Sequence, residues 1–245
     1  MVIYILNSQK DRELKIRLLV VNLLRELKNS YTYKELSSIF NIQESLLCRY
    51  VNGNTIPSES HSRDILDKIK SKEFLSKFLA DKIIKYDDGF IDTSKMLFYP
   101  NLLKLLIEMF YHKYFGNRDE IDKIVTVAVN GIPFAAIASE AIAKPLIIIK
   151  KHKDSVHISY IDENIKESEG MITSIYLRKD FVYKGEKVLV VDDVIRSGKT
   201  IYSTFRLIQK ADAKVIGALV LVGVGKEWSK ISNTFNIPII PIFSL

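Results

Sequence analysis

Apolar positions change their spacing about a third of the way along this chain. From Asp11 to Lys28 they fall at Leu14, Leu18, Val21 and Leu24, with Arg and Lys on the other face. That spacing predicts an amphipathic helix, ended by Asn29-Ser30. Tyr33–Phe40 and Gln43–Val51 read as two shorter helices around Asn41-Ile42, with Leu36, Phe40, Ile42, Leu47 and Tyr50 as the apolar positions between them. Ser37 is small where the two helices would cross. Asn41 stands at the turn, where a positive φ is often needed and Asn tolerates it. Asn52-Gly53 is a natural stop for the second helix. His61 to Lys85 continues the helical pattern through Ile65, Leu66, Ile69, Phe74, Phe78 and Ile83. Its lysines at 68, 70, 72, 77, 82 and 85 read as a solvated face, an interdomain connector or a basic face along phosphates. Asp87-Asp88-Gly89 breaks the pattern, so a helical domain is expected over 1–88 and a second domain over 89–245.

Beyond the break the pattern becomes short continuous apolar runs. Tyr99–Phe115 is one more helix, with Pro100 in its first turn and Gly116-Asn117 closing it. Ile124–Val129, Leu146–Ile149, Val188–Val191 and Val215–Val222 then read as strands buried on both faces, the signature of a parallel sheet. Phe134–Ala143 is a small-residue helix between the first two, which makes a βαβ unit. Val156–Tyr160 and Met171–Leu177 alternate like an antiparallel excursion around a polar segment, Asp162–Gly170. Ile201–Lys210 is a helix, and Ile237–Phe243 a last strand whose Pro238 and Pro241 confine it to an edge. The expected architecture is a parallel α/β sheet flanked by helices, preceded by an all-α domain.

Composition narrows the class. Hydrophobic residues make up 47% and charged residues 27% of 245, which is globular rather than disordered. No apolar run reaches about 18 residues, so no membrane helix is expected. Met1–Leu6 is apolar but lacks a basic start and a small-residue cleavage site, so it does not read as a signal peptide. The single cysteine, Cys48, leaves no internal disulfide or cysteine metal cluster, and a cytoplasmic location is the expectation. The four histidines show no metal-ligand spacing, so no resident metal site is expected. The net charge of +7 is spread over both parts of the chain. It permits contact with nucleic acid or phosphorylated ligands without establishing either.

The densest chemistry lies in Glu186–Thr204, E-K-V-L-V-V-D-D-V-I-R-S-G-K-T-I-Y-S-T. A buried strand delivers two carboxylates, Asp192 and Asp193, to its C-terminal end, where open α/β sheets bind ligands. Arg196-Ser197-Gly198-Lys199-Thr200 follows as a polar loop opening a helix, whose N–H groups and positive dipole end suit a phosphate. The acids can accept hydrogen bonds from sugar hydroxyls or hold a divalent cation. Gly198-Lys199-Thr200 looks like the end of a Walker A loop, but the first Gly of that motif would fall at 193, where Asp193 would repel a phosphate.

Apolar strand, paired acids, then S/T-G-x-T resembles the phosphoribosyl-pyrophosphate (PRPP) loop of the type I phosphoribosyltransferase family. The likeness covers roughly Asp92–Leu245. It implies ribose and 5′-phosphate binding by Asp192, Asp193, Arg196, Ser197, Gly198, Lys199 and Thr200. It further implies pyrophosphate binding by Asn130 and Gly131, within A-V-N-G-I-P-F-A, and by Lys150 and Lys151 at the basic end of the second strand. Mg²⁺ would arrive with PRPP. Two positions depart from the pattern. Many members carry Lys or Arg before the turn glycine, where this chain has Asn130. The 6-oxopurine enzymes carry a catalytic Asp at the position of Arg196, whereas the orotate and adenine enzymes do without it, so this departure excludes one subclass only; no catalytic residue is assigned. Lys153 and 162–170 read either as a loop over the site or as a plain surface hairpin.

The earlier pattern L-S-x-x-x-x-I-x-x-S-x-L-x-R-Y-x-x-G, from Leu36 to Gly53, resembles repressor-type helix-turn-helix proteins. It places Gln43, Glu44, Ser45 and Arg49 on the exposed face of the second helix, where Gln and Arg can read base edges and Ser can bind phosphate. The plain alternative is an inert αα-hairpin. The order of the two parts resembles the purine-operon repressors and the archaeal orotate-phosphoribosyltransferase-like regulators, in which the enzyme fold serves as a sensor. That implies a homodimer on double-stranded DNA that responds to PRPP or a related phosphorylated ribose or nucleotide. An active orotate or purine phosphoribosyltransferase with an accessory domain is the alternative, and a sugar-phosphate sensor that does not bind PRPP is a third reading.

Overall fold

The computed structural model describes residues 9–116, 121–168 and 171–245. The chain forms two compact units that divide between Leu102 and Leu103. Asp87-Asp88-Gly89 lies in the turn of a small antiparallel hairpin, β1 (Ile84–Lys85) and β2 (Ile91–Asp92).

The first unit opens with α1 (Gln9–Leu27), α2 (Tyr33–Phe40) and α3 (Glu44–Val51). Thr32 caps α2 through a capping box: Glu35 N–H donates to Thr32 Oγ1 at 3.2 Å, and Thr32 N–H donates to Glu35 Oε2 at 2.7 Å. Asn41 ends α2 at φ 54°, the left-handed turn that its short polar side chain tolerates. Leu36, Phe40, Ile42, Leu47 and Tyr50 are all buried, so the five expected core positions close the two helices on each other. Gly53 lies at φ 75° just past α3, and Arg25 Nε donates to the Val51 carbonyl at 2.8 Å. The helical start of α1 departs from expectation. Leu14 and Leu18 remain 44% exposed, and the buried face begins at Val20 and Val21.

The long helix expected from His61 to Lys85 is two helices, α4 (Glu59–Lys70) and α5 (Lys72–Leu79), followed by β1. Ser71 makes the break. Its extended backbone leaves the helix, and its hydroxyl accepts from Phe74 N–H at 3.2 Å, starting α5 afresh. Lys82 is not on a solvated face: it is buried, with Nζ 2.8 Å from Asp81 Oδ2 and 4.9 Å above the Phe78 ring. A 3-10 turn (Ser94–Phe98) leads into α6 (Pro100–Phe115), and Gly116 follows at φ 79°. Asn117 lies outside the described residues. The buried carboxylate of Glu26 accepts from Asn101 N–H at 2.7 Å and Leu102 N–H at 3.0 Å, which satisfies the start of α6.

The second unit holds β3 (Lys123–Val127), α7 (Ile132–Ile142), β4 (Leu146–Ile149), β5 (Tyr160–Ser168), β6 (Met171–Arg178), β7 (Lys187–Ile195), α8 (Lys199–Lys210), β8 (Lys214–Gly223), α9 (Ser229–Phe235) and β9 (Ile239–Ser244). Five of these strands form one parallel sheet in the order β4-β3-β7-β8-β9. Val188, Leu189, Val190 and Val191 are buried at its centre, and the proline-bearing β9 is an edge as expected. The antiparallel pair shifts along the chain relative to expectation. Val156 is 92% exposed and outside any strand, whereas the polar stretch from Asp162 to Ser168 is itself part of β5. Glu163 within it pairs with α8: its Oε2 lies 3.0 Å from Lys210 Nζ and 3.3 Å from Arg206 Nε, while Ile165 is buried.

Candidate functional site

The sheet order decides where a ligand can sit. The chain passes from β3 outward to β4, then returns to the other side of β3 as β7. Loops leaving the C-terminal ends of β3 and β7 therefore diverge, which opens a crevice at this switch point. Three sequence-expected groups stand at or after the C-terminal ends of adjacent strands at that edge: Asn130 and Gly131 after β3, Lys150 and Lys151 after β4, and Asp192 and Asp193 on β7.

The acidic pair belongs to the last rungs of β7 rather than to the loop beyond it, with Asp192 opposite Val220 of β8. Asp193 N–H donates to Asp192 Oδ1 at 3.0 Å. Burial pushes the Asp192 carboxyl well above the usual carboxylate range, and the neighbouring Asp193 charge pushes it further. Burial raises Asp193 as well. Hydroxyl donors or a cation would relieve both.

Arg196, Ser197 and Lys199 are exposed in the loop after β7, and α8 begins at Lys199, two residues before the expected Ile201. Gly198 occupies the N-cap at φ 78°. A Cβ there would collide with Ile231 Cδ1 and approach Trp228 Cβ to 3.2 Å, so this position needs glycine for space as well as for conformation. A glycine cap offers no side-chain acceptor to the first-turn N–H groups, which suits a phosphate.

Asn130 is exposed on the turn after β3, and Gly131 behind it is buried. The φ of Gly131 is −69°, so glycine is not needed for conformation. It is needed for proximity: a Cβ would collide with Asp192 Oδ1 and lie 2.8 Å from Thr126 Oγ1. Lys150 Nζ lies 2.7 Å from Asp154 Oδ1, and its backbone exchanges hydrogen bonds of 3.2 and 2.8 Å with Tyr176 of β6. Lys151 is exposed. Lys153 Nζ sits 5.2 Å above the Tyr176 ring and 6.0 Å above Tyr160, so it packs on the base of the β5–β6 hairpin. Residues 169–170 of the expected covering segment lie outside the described residues. Sequence reasoning missed Thr126, Asp154 and the whole of α9. A lone hydroxyl inside the apolar run I-V-T-V-A-V was the one available signal for Thr126.

In the first unit Gln43, Glu44, Ser45 and Arg49 all lie exposed, on or immediately before α3. Gln43 makes no side-chain cap bond to the helix it precedes. Tyr50, on the opposite face, shares a 2.9 Å hydrogen bond with His61 Nδ1 of α4. Among the described residues no group of three His, Cys, Asp or Glu side chains could hold a metal ion, and no helix is long and apolar enough to cross a membrane.

A strand-borne acid pair, a glycine-capped helix and a close-packed turn on an adjacent strand thus stand at the switch point of a parallel α/β sheet. Residues 93–241 match the phosphoribosyl transferase domain family, and the chain belongs to it. Over 175 residues the chain is 29% identical to the purine biosynthesis transcriptional repressor PurR of Bacillus subtilis (strain 168), a match covering 69% of this chain and 61% of that protein. It is 28% identical over 109 residues to xanthine phosphoribosyltransferase of Alkaliphilus metalliredigens (strain QYMF), covering 44% of this chain and 54% of the enzyme. The chain thus spans between about half and two thirds of the length of these relatives. Adenine phosphoribosyltransferase from Rhodothermus marinus DSM 4252 shares the fold, with a TM-score of 0.60 at 23% identity over 69% of this chain and 97% of that one.

Proposed function

We propose that this protein is a DNA-binding transcriptional regulator whose second unit senses PRPP or a related phosphorylated ribose or nucleotide. The observation that carries this reading is the pairing, in one chain, of the acid-pair and phosphate-loop crevice with an exposed polar face on a short helix. The likeness to a purine repressor, extending over 69% of the chain, supports it. Asp192 and Asp193 would take the ribose hydroxyls and the Arg196–Thr200 loop the 5′-phosphate. Asn130, Gly131, Lys150 and Lys151 would take the pyrophosphate, while Gln43, Glu44, Ser45 and Arg49 would meet DNA. The two carboxylates, raised by burial, also fit a Mg²⁺ ion carried in with PRPP, which would neutralise pyrophosphate charge.

Turnover asks for more than binding, because departing pyrophosphate must be stabilised. The exposed Asn130 brings no positive charge to the turn, and Lys150 is already engaged by Asp154. A charge-assisted hydrogen bond is worth about 1.5–3 kcal/mol. A single short helix reads few base pairs, so the regulator would act as a homodimer on paired half-sites. The second reading, an active purine or orotate phosphoribosyltransferase, is favoured by the xanthine enzymes among its relatives. One experiment separates them: binding of a promoter-fragment library with and without PRPP, alongside a nucleotide-formation assay with orotate, adenine, guanine and xanthine. The regulator reading expects PRPP-dependent retention of fragments carrying two half-sites, and no product. Product at ordinary enzymic rates, without DNA retention, overturns it. Coupling is reciprocal, so the selected DNA should change PRPP affinity by the same factor.

A further inference from the structure

We propose that Thr126 is a positioning residue for Asp192, joining the turn after β3 to the acid pair on β7; the inference rests on the phosphoribosyl-site reading. Thr126 is fully buried, and its Oγ1 has no hydrogen-bond partner among the described residues. A buried hydroxyl without a partner is destabilising. Its strand neighbours, Val125 and Val127, show what β3 uses where only packing matters. A valine would fill the same volume at 126 without that penalty, so the hydroxyl stands against the packing requirement.

The missing side chain of Gly131 shows where the hydroxyl lies. A Cβ on Gly131 would meet two oxygens at once, Asp192 Oδ1 and Thr126 Oγ1. Both oxygens therefore border the same small space beneath the turn. Asp192 Oδ1 already accepts from Asp193 N–H at 3.0 Å, and an ionised carboxylate has further lone pairs to offer. A hydroxyl can donate to the ionised carboxylate or accept from the protonated one, so Thr126 serves both states of a group whose charge is disfavoured by burial. When sugar hydroxyls engage Asp192 from the crevice, Thr126 holds the carboxylate from beneath.

The test compares the wild type with Thr126→Val and Thr126→Ser, titrated calorimetrically with PRPP, ribose 5-phosphate and inorganic pyrophosphate. Thr126→Val should weaken PRPP and ribose 5-phosphate by the same factor, about tenfold, the scale of one hydrogen bond to a charged group. Pyrophosphate binding should not change, and Thr126→Ser should restore sugar binding to within about twofold. The thermal midpoint of Thr126→Val should match or exceed that of the wild type, which separates this effect from general loss of folding. Should Thr126→Val fold poorly, Thr126→Cys keeps a weak donor in place and should show a smaller loss for the same two sugars. Wild-type sugar affinity in Thr126→Val, or failure of Thr126→Ser to restore it, overturns the positioning role. A wild type that binds neither PRPP nor ribose 5-phosphate instead overturns the site reading on which the role depends.

Discussion

The α2–α3 pair and the crevice at the ends of β3 and β7 handle polar groups in opposite ways. Around α2 and α3 three local needs are met within the chain: Thr32 and Glu35 cap each other, Asn41 supplies the left-handed turn and Arg25 takes the last carbonyl of α3. The polar side chains left over are exposed. In the crevice the polar groups conflict. Two carboxylates stand side by side, both raised by burial, and a buried hydroxyl near them has no partner among the described residues. A surface that is already satisfied loses little when its side chains are cut back, so changes there should alter affinity and leave stability alone. A site holding conflicting groups is destabilised until a ligand resolves the conflict, so removing them should gain stability and lose binding.

The largest expected effect breaks the crevice. Asp192→Asn with Asp193→Asn removes both charges at nearly constant shape. PRPP binding should fall by at least about 100-fold, since two charge-assisted acceptors are lost, while DNA binding remains. The same variant should unfold at a higher temperature than the wild type near neutral pH, by about 2–4 °C for each kcal/mol relieved. The sign follows from the raised carboxyls. The folded chain holds protons on Asp192 and Asp193 to higher pH than the unfolded chain, so this pair lowers stability as pH rises through the interval between the two. Ligand affinity should run the other way, weakening as pH falls, because sugar hydroxyls and cations prefer the ionised pair. Calorimetric titration and melting curves over a pH series read both; a lower melting temperature for the variant with PRPP affinity intact would remove the contrast.

The next effect belongs to α3. Arg49→Ala should cost about 1–3 kcal/mol of specific DNA affinity if the guanidinium reaches a base edge. The double variant Gln43→Ala, Arg49→Ala should lose more. Neither should shift the melting temperature by more than the equivalent of about 0.5 kcal/mol, the usual range for exposed positions. Wild-type binding should weaken steeply with added salt. Operator affinity unchanged in the double variant, by fluorescence anisotropy at fixed salt, would place DNA elsewhere.

These two regions were also unequally legible in the sequence. The α2–α3 turn is local: five apolar positions, an Asn at the turn and a Gly after the helix all lie within 36–53, and each does what its residue type suggests. The parallel strands were equally plain, because burial on both faces leaves unbroken apolar runs. The crevice is assembled from segments over sixty residues apart. Its acids and loop were visible as a motif, but the collision that demands glycine at 131 involves Asp192 and Thr126, which no local pattern connects to it. The β5 strand was hidden for a similar reason. Its polar face looks like a loop until α8 supplies Arg206 and Lys210 for Glu163. Ser71 misled in the opposite sense, since an apolar period runs through a residue whose hydroxyl restarts the helix.

The smallest effect sharpens the contrast between two residues that both close a turn. Asn41 stands at φ 54°, whereas Gly131 stands at φ −69°. The first position is constrained by backbone conformation, the second by the space beside Asp192. Asn41→Gly should therefore be close to neutral, because glycine adopts the left-handed region freely while making the unfolded chain more flexible. Asn41→Ala should cost about 1–2 kcal/mol, the penalty of that region for a residue with a Cβ and no local hydrogen bond. At Gly131 an alanine meets no conformational penalty, yet its Cβ displaces Asp192, so Gly131→Ala should injure ligand binding far more than Asn41→Ala injures folding. Denaturant titration of the Asn41 variants, with PRPP titration of Gly131→Ala, reads the two costs separately. If Asn41→Gly and Asn41→Ala destabilised the protein equally, the lost asparagine side chain rather than the backbone angle would be what holds the turn.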